Sequence, residues 1–343
     1  MNAPNTAMAP ATRTGAETVA LPAAFAPRAE GPRIYNLFPL LVGTVSAWTA
    51  ELPRIAELGF NWVYLNPFHQ TGGSRSLYAV ADLDALDERF RDGDGTSDDE
   101  QITRFCRTAE SHGVSVMSDL VINHTADNAR LFHERPDLFV RDAEGKPVSP
   151  AAIDPDDPSK RTVWGDLIEL DFHSEHARNE LIRIFDGYIG RLQRLGVRGF
   201  RCDAAYKVPP EVWRALIQSA KAREPETLFA AETLGCTFEE AQATAGAGFD
   251  YLFNSFAWWN LKAPWALEQY DRLRVVAPSI AFPENHDMAR LAADIPGGAE
   301  AIARRLKTRY ALSAFFSAGV LMPIGYEWGY RRALHVVETT PGS

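Results

Sequence analysis

The sequence has few cysteines and no excess of basic residues. Its 343 residues include three cysteines, Cys106, Cys202 and Cys236. An odd number of cysteines without metal-ligand spacing predicts buried, reduced side chains rather than disulfides or a zinc site, and this favours a cytoplasmic protein. The formal net charge of −10 at pH 7 argues against nucleic acid or an anionic membrane as the main partner.

Long apolar segments are also missing. No apolar run reaches the roughly 18 residues that a transmembrane helix needs, so no membrane partner is predicted. Residues 1–30 are rich in Ala, Pro and Thr and lack the apolar stretch of a signal peptide, which predicts a flexible tail. Hydrophobic residues make up 46% of the sequence and charged residues 23%, values that suit a globular protein with a sizeable core.

From residue 33 onward, short apolar segments alternate with segments of helical period, which indicates repeated strand–helix units. Eight strands are predicted, at 33–38, 61–67, 114–120, 197–203, 228–232, 249–253, 278–282 and 318–324. Helices are predicted at 47–58, 97–112, 176–194, 210–222, 261–272 and 298–315. This order predicts an α/β fold, a (β/α)8 or TIM barrel over residues 31–330.

One spacing is too long for a simple barrel. Asp119 and Asp203 are 84 residues apart, about 50 more than one strand–helix unit requires. The surplus predicts an insertion at 125–175, after the third strand. Its Pro- and Asp-rich stretch at 154–158 and its lack of helical period indicate a small irregular subdomain over the barrel mouth.

The acidic run at residues 92–99 has two interpretations. Its Asp and Gly residues resemble a calcium loop, but the glutamate expected at the twelfth position is missing. Ser97 and Glu100 form a Ser-x-x-Glu capping box, which explains much of the run as a helix start. We therefore predict no cofactor, with bound calcium as the alternative.

Charged side chains lie at the C-terminal ends of several predicted strands. Arg201 and Asp203 end the fourth strand, Glu232 ends the fifth, and Asp287 follows the seventh. These ends form one rim of a barrel, where catalytic groups emerge. Carboxylates at such a rim suit cleavage of a glycosidic bond, in which one attacks the anomeric carbon and another protonates the leaving oxygen.

The surroundings of these carboxylates predict different protonation states. Arg201 should hold Asp203 ionised, because a nearby positive charge favours the carboxylate. The apolar residues 229–231 should raise the pKa of Glu232 towards that of a general acid. The alternative is that Arg201 and Asp203 form a buried structural ion pair.

Four segments carry a resemblance to a known family. Residues 119–124, 199–203, 231–232 and 282–287 resemble, in order, the four sequence regions of the α-amylase family, glycoside hydrolase family 13. The resemblance covers about residues 33–330. It implies a catalytic TIM barrel with an insertion called domain B after the third strand.

The resemblance also implies roles for single residues. It makes Asp203 the nucleophile, Glu232 the acid/base and Asp287 a third carboxylate that stabilises the transition state. The residues that it implies in sugar binding are Tyr78, His124, Arg201, Lys207 and His286. Structural alternatives stay open: His124 could cap a strand end, His286 could be a buried hydrogen-bonded histidine, and Tyr78 could pack in a loop.

Further features are less specific. Trp258 and Trp259 form either a sugar-stacking platform or part of the core. Asn123 matches a calcium ligand of some amylases, but the other ligands are not placed in this insertion. Residues 133–139 resemble the insertion of bacterial maltosyltransferases that use maltose 1-phosphate.

The C-terminal region departs from the family pattern. Residues 326–343 are 18 residues, too few for an eighth helix plus the β-sandwich that usually closes such chains. We expect the C-terminal β domain to be absent and residues 331–343 to form a tail. We also expect the chain to be the front part of a longer protein, or to need a protein partner over the first and last strands.

The leading functional prediction is a retaining α-glucan-active enzyme. Its substrate would be an α-glucan or maltooligosaccharide, with phosphate as a candidate acceptor, in cytoplasmic glycogen, maltodextrin or trehalose metabolism. The alternative is a weakly active or inactive barrel that binds glucan as a regulatory module. A sugar isomerase or aldolase is disfavoured, because neither a Schiff-base lysine nor a metal-ligand set lies at the strand ends.

Overall fold

The computed structural model describes residues 30–153 and 159–342. Its strands are β1 (Arg33–Asn36), β2 (Trp62–Leu65), β3 (His69–Thr71), β4 (Val80–Leu86), β5 (Ser115–Leu120), β6 (His124–Ala126), β7 (Ala151–Ile153), β8 (Arg161–Val163), β9 (Leu167–Glu169), β10 (Gly199–Cys202), β11 (Leu228–Glu232), β12 (Tyr251–Phe253), β13 (Ser279–Ala281) and β14 (Gly319–Pro323). Its α-helices are α1 (Pro39–Val42), α2 (Val45–Glu57), α3 (Asp98–Ser111), α4 (Arg130–Glu134), α5 (Glu175–Leu195), α6 (Pro210–Arg223), α7 (Phe238–Ala243), α8 (Trp265–Leu273) and α9 (Ala299–Phe315).

Eight parallel strands close into a barrel in the order β1, β2, β5, β10, β11, β12, β13, β14 and back to β1. Each corresponds to one of the eight predicted strands, so the predicted TIM barrel is confirmed. Parallel strands place their C-terminal ends at one rim. The register sets Arg201 of β10 opposite Asp119 of β5, and Glu232 of β11 opposite Phe253 of β12.

The barrel is packed on both faces, as parallel sheets require. Its interior holds one cluster of buried side chains, from Ile34, Trp62, Tyr64, Met117, Leu228, Ala230, Tyr251, Phe253, Ile280, Phe282 and Leu321. A larger cluster lies between the strands and the helices, where Trp48 of α2, Phe185 of α5 and Trp213 of α6 are almost fully buried. These apolar layers hold the strand ends, and therefore the rim, in place.

The structure contains elements that the sequence does not predict, among them the short helices α1 and α4. The polar loop predicted after the second strand contains the antiparallel hairpin β3–β4. Helix α7 was not predicted; a capping box between Thr237 and Glu240 begins it. Ser97 caps α3 by accepting the Glu100 amide hydrogen, as expected, but the return bond of a full capping box, from the Ser97 amide to the Glu100 carboxylate, does not form.

The segment between β5 and α5 contains β6 and β9, which pair antiparallel, and β7 and β8, which form a second pair. The Asp-Pro stretch at 154–158 lies outside the described residues, as does the predicted tail up to residue 29. The boundaries predicted for the insertion (125–175), the barrel (31–330) and the two tails stay predictions. No helix in the described part of the chain is long and apolar enough to cross a membrane.

Candidate active site

One arginine joins three carboxyl groups at the barrel rim. Arg201 Nη1 lies 3.0 Å from Asp119 Oδ1 and 2.6 Å from Asp203 Oδ1, and Arg201 Nη2 lies 3.6 Å from Glu232 Oε2. The Arg201 and Asp119 side chains are 7% and 0% exposed. The predicted Arg201–Asp203 pair exists, but it belongs to a cluster in which one buried cation faces three acids.

Glu232 is a carboxyl group of this cluster whose pKa is raised far above its ordinary value. Burial raises its pKa to about 7, and the negative charge of Asp203 adds to this, while Arg201 opposes it. The prediction that residues 229–231 form the apolar surroundings of Glu232 is only partly correct. Phe229 packs in the outer layer, between strands and helices, and Ala230 faces the barrel interior. Glu232 is therefore able to hold a proton near neutral pH, as a general acid must.

The backbone after Asp203 contributes to the position of Glu232. Ala204 has φ +40° and ψ +50°, a left-handed conformation that is uncommon for a residue with a Cβ atom. In this conformation the Ala204 amide donates to Glu232 Oε2 at 2.9 Å, and the Leu234 amide donates to Oε1. The Arg201 side chain of β10 thus contacts both carboxyl groups, and the backbone just after this strand holds Glu232.

Tyr78 joins two predicted histidines to the cluster. Its hydroxyl oxygen lies 2.8 Å from Asp119 Oδ2 and 2.7 Å from His286 Nε2, and its ring stacks on that of His286 at 5.7 Å between centroids. His124 Nε2 lies 3.2 Å from the Tyr78 carbonyl oxygen. His124 Nδ1 is buried and has no hydrogen-bond partner among the described residues, and burial lowers the pKa of this histidine.

Asp287 and Lys207 lie further out on the rim. Asp287 Oδ2 is 3.3 Å from His286 Nε2, and its side chain is 55% exposed. Lys207 is exposed, with Nζ 5.3 Å from the centroid of the Tyr206 ring. Burial raises the pKa of Glu169 in β9, and the nearby charge of Lys207 opposes this rise. The structure therefore brings together seven of the eight predicted residues through direct contacts and places Lys207 beside them, facing the inserted segment.

Two polar residues of the segment 282–287, Glu284 and Asn285, have structural roles outside the carboxyl cluster. Glu284 forms a fully buried ion pair with Arg290 at 2.9 Å and accepts the Leu291 amide. Asn285 Oδ1 accepts the Asp287 amide at 3.1 Å. Glu284 thus ties the end of β13 to the segment that follows it and does not join the carboxyl cluster.

Sequence reasoning missed the polar residues of β1 and β2. Tyr64 of β2 and Asn66, which follows it, lie in a run that the sequence predicts only as an apolar strand. The Tyr64 hydroxyl donates to Asp119 Oδ2 at 2.6 Å, and Asn66 contacts both Tyr64 and Tyr78. The available signal was their spacing of two residues, which puts both on one face of a strand.

The tryptophan pair divides between the two predicted roles. Trp258 is 49% exposed and meets the Phe282 ring edge-on at 5.9 Å, at the rim between β12 and β13. Trp259 is 4% exposed and packs against Phe256 and Phe316. Only Trp258 is placed to contact a ligand.

The residues considered for calcium have partners of different kinds. In the 92–99 run, Asp92 and Asp94 both pair with Arg104. Asn123 Oδ1 is buried without a hydrogen-bond partner among the described residues. In residues 30–153 and 159–342, no group of three or more His, Cys, Asp or Glu side chains is arranged to hold a metal ion. Calcium binding stays an untested alternative.

Comparisons with known proteins agree with this geometry. Residues 29–151 match the family model described as "Glycogen debranching enzyme, glucanotransferase domain". The chain is 29% identical over 300 residues to the alpha-1,4-glucan:maltose-1-phosphate maltosyltransferase of Burkholderia pseudomallei, covering 87% of this chain and 26% of that protein. It is 27% identical to the enzyme of the same name from Chlorobaculum tepidum, covering 84% of this chain and 43% of that protein. The chain thus spans less than half the length of these relatives.

Solved structures show the same barrel. An α-amylase of Lactobacillus plantarum superposes with a TM-score of 0.69 at 23% identity, over 90% of this chain and 75% of that one. The maltogenic α-amylase AmyB of Thermotoga neapolitana gives a TM-score of 0.68 at 21% identity, over 90% and 71%. The predicted resemblance, with its moderate likeness to maltosyltransferases, is confirmed.

Proposed function

Because this chain forms a barrel that resembles those of the α-amylase family, we propose that it is a retaining enzyme that cleaves or transfers α-1,4-linked glucosyl or maltosyl units. Asp203 attacks the anomeric carbon, and Glu232 protonates the departing oxygen. A covalent glycosyl–Asp203 intermediate forms, and Glu232 then takes the proton of the group that resolves it. The observation that carries this proposal is the single guanidinium of Arg201 in contact with both carboxyl groups.

The protonation of Glu232 supports this division of roles. A general acid must hold its proton at the working pH, and burial gives Glu232 a pKa of about 7. Arg201 contacts Asp203 at 2.6 Å, and this contact orients that carboxylate as the nucleophile. Two carboxyl groups with environments that differ in this way have the features of an acid and a nucleophile.

The remaining residues surround the place of the reacting sugar. Tyr78 and His286 lie side by side with stacked rings, Asp287 lies next to His286, and His124 offers the unpartnered Nδ1. In this proposal they bind the sugar ring, and Asp287 stabilises the positive charge that develops in the transition state. Lys207, exposed beside Glu169, contacts the acceptor.

We infer that transfer exceeds hydrolysis. The likeness to proteins named maltosyltransferases supports this, and so does the position of Lys207 on the acceptor side. An acceptor that displaces water and lies in line with the anomeric carbon reacts faster than water. The acceptor is a glucan chain or phosphate, and the setting is cytoplasmic glycogen, maltodextrin or trehalose metabolism.

The test is product analysis after incubation with maltohexaose, with and without phosphate. Longer as well as shorter chains are expected, or maltose 1-phosphate when phosphate is present. Asp203→Asn and Glu232→Gln should each abolish more than 99% of turnover, since loss of one catalytic group costs roughly 10²-fold or more. Asp186→Asn, which removes a half-buried carboxylate paired with Arg223 outside the barrel, should leave turnover unchanged.

Other outcomes discriminate against the proposal. Near-full activity in either active-site variant would remove the assigned pair. Glucose and maltose as sole products at every acceptor concentration would refute the preference for transfer. Binding of maltohexaose without any turnover would favour the regulatory glucan-binding module instead.

A further inference from the structure

A buried polar network on β1 and β2 adjoins the proposed catalytic groups. Asn66 directly follows β2 and is 0% exposed, as is Asn36 of β1. Asn36 Nδ2 donates to Asn66 Oδ1 at 2.8 Å and to the Tyr64 carbonyl oxygen at 3.3 Å. Because Asn36 offers a donor, the Asn66 amide presents its oxygen to Asn36 and its NH2 group to the other side.

The Asn66 NH2 group meets two tyrosine hydroxyls. Asn66 Nδ2 lies 3.1 Å from the Tyr78 hydroxyl oxygen and 3.3 Å from that of Tyr64, so each phenol oxygen accepts one hydrogen. Each hydroxyl has a single proton left to donate. Both oxygens lie close to Asp119 Oδ2, at 2.6 Å from Tyr64 and 2.8 Å from Tyr78. An ionised carboxylate only accepts, so both protons point to Asp119.

This direction determines the bond to His286. The Tyr78 oxygen lies 2.7 Å from His286 Nε2, and its only proton is already directed to Asp119. His286 must therefore carry its hydrogen on Nε2, where the Tyr78 oxygen at 2.7 Å is the nearer acceptor and Asp287 Oδ2 at 3.3 Å is the second. The orientation of one amide thus extends to His286 on one side and, through Asp119, to Arg201 on the other.

We propose that Asn66, held by Asn36 and assisted by Tyr64, is a positioning residue of the proposed active site. Its amide directs two hydroxyl protons to Asp119, so that Asp119 stays ionised against Arg201 and His286 presents its Nε2 hydrogen to Tyr78. The effect on turnover rests on the proposed function; the direction of the hydrogen bonds does not.

The charges around Asp119 explain why two donors are needed. Burial raises the pKa of Asp119 and nearby Asp203 adds to this, whereas Arg201 and the hydrogen bonds from Tyr64 and Tyr78 lower it. If a donor is lost, Asp119 takes up a proton at higher pH. The protonated acid attracts Arg201 less, and Arg201 then positions Asp203 and Glu232 less well.

The first test measures kcat, KM and the pH profile of kcat/KM for Asn66→Leu and Tyr64→Phe on maltohexaose. Tyr64→Phe loses a hydrogen bond to the charged Asp119, which corresponds to roughly a 10- to 100-fold fall in kcat, with little change in KM. Asn66→Leu loses bonds to two neutral hydroxyls and should lower kcat in the same direction by a smaller factor. The acid limb of the profile should move to higher pH in Tyr64→Phe, because Asp119 is then protonated at higher pH.

Gln193→Leu is the matched control. Gln193 is a buried amide on α5, and it donates to the Ala220 carbonyl and to Thr227, outside the barrel. This variant loses a buried amide and should lower Tm, yet keep the wild-type kcat and pH profile. A similar fall in kcat in Gln193→Leu would mean that general destabilisation, and not positioning, explains the effect.

The second test needs no turnover. Histidine-selective ¹⁵N NMR, with the His286 signals identified by their loss in His286→Gln, should show the hydrogen on Nε2 in the wild type. Asn66→Leu should populate the Nδ1 tautomer as well. If the wild type carries the hydrogen on Nδ1, the proposal is wrong even when the enzyme is active.

The two tests separate the proposals. A wild type without turnover refutes the proposed function, and the tautomer still decides the network. If Asn66→Leu does not fold, the proposal is tested by the His286 tautomer of the wild type and by the pH profile of Tyr64→Phe. An acid limb of that profile that does not move overturns the proposal. An Asn66→Leu protein with wild-type kcat, pH profile and tautomer overturns it as well.

Discussion

At the scale of single residues, the buried carboxyl group of Glu232 lowers the stability of the folded protein when it ionises. Its carboxyl group lies against Arg201 and accepts two backbone amides, yet burial still raises its pKa from 4.5 to about 7. Because the folded-state pKa exceeds the unfolded one, the folded protein binds this proton more tightly. The stability that the proton contributes is present below about pH 4.5 and is lost as the pH rises through about 7.

We therefore predict that Glu232→Gln stabilises the protein at alkaline pH while it removes activity. At pH 8 the free energy of unfolding should exceed that of the wild type by on the order of 3 kcal/mol, at 1.36 kcal/mol per pKa unit. At pH 4 the two proteins should differ little, because Glu232 is then protonated in both states. Urea unfolding at both pH values measures this. An equal difference at the two pH values would mean that packing, not ionisation, causes the change.

At the scale of elements, the connection after β12 places two adjacent tryptophans in different environments. A short 3₁₀ turn at Phe256–Trp258 directs Trp258 to the rim, while Trp259 packs beneath α8 and α9 against Tyr270 and Phe316. Strand β12 lies between the strand that carries Glu232 and the strand that precedes Asp287. An exposed aromatic ring here is suited to stack on the acceptor sugar.

We predict opposite effects for the two tryptophans. Trp258→Ala should raise the KM for a glucan acceptor and shift products towards hydrolysis, with little change in Tm. Trp259→Ala should lower the free energy of unfolding by about 3–5 kcal/mol, as for other large buried aromatics. Product ratios and thermal melts measure the two effects. Phe315→Ala, at an exposed aromatic (78%) on the C-terminal end of α9, serves as the control and should change neither.

If Trp258→Ala keeps the wild-type product ratios and the wild-type KM for the acceptor, Trp258 has no role in acceptor binding. The position of the exposed ring at the rim would then be a consequence of the turn alone.

At the scale of the whole molecule, the barrel depends on one closing contact between the first and last strands. Strand β1 pairs in parallel with β14, with Ile34 opposite Leu321. Gly319 begins β14 where Pro32 approaches it: a Cβ atom there would lie 2.7 Å from Pro32 Cγ and 2.9 Å from its carbonyl oxygen. The rim exists only while this closure holds, because its residues come from separate strands.

We predict that Gly319→Ala destabilises the whole barrel. Overpacking at a close contact costs about 1–3 kcal/mol, and the contact here includes backbone, which yields little. Gly73→Ala is the control, since nothing lies within 4 Å of a Cβ atom at that position. Urea unfolding should show a lower midpoint for Gly319→Ala only. Equal midpoints would mean that the closing strands adjust freely.

The sequence by itself determined the barrel and most of the candidate site. Strands of a parallel barrel are buried on both faces, so each one appears in the sequence as a short apolar run. Such a run can be recognised without knowing which strands pair with it. All eight were found in this way. The charged residues that end these runs had to share one rim, which brought Arg201, Asp203 and Glu232 together before any distance was known.

Only the tertiary structure decided which polar groups touch and how they are protonated. The Tyr64–Asp119 bond joins residues 55 apart in sequence, and the Tyr78–His286 bond joins residues 208 apart. Tyr64 and Asn66 belong to an apolar run, and local sequence does not reveal that such side chains will meet a buried carboxylate. The pKa of Glu232 likewise depends on burial by the whole barrel, because desolvation is produced by all surrounding elements together.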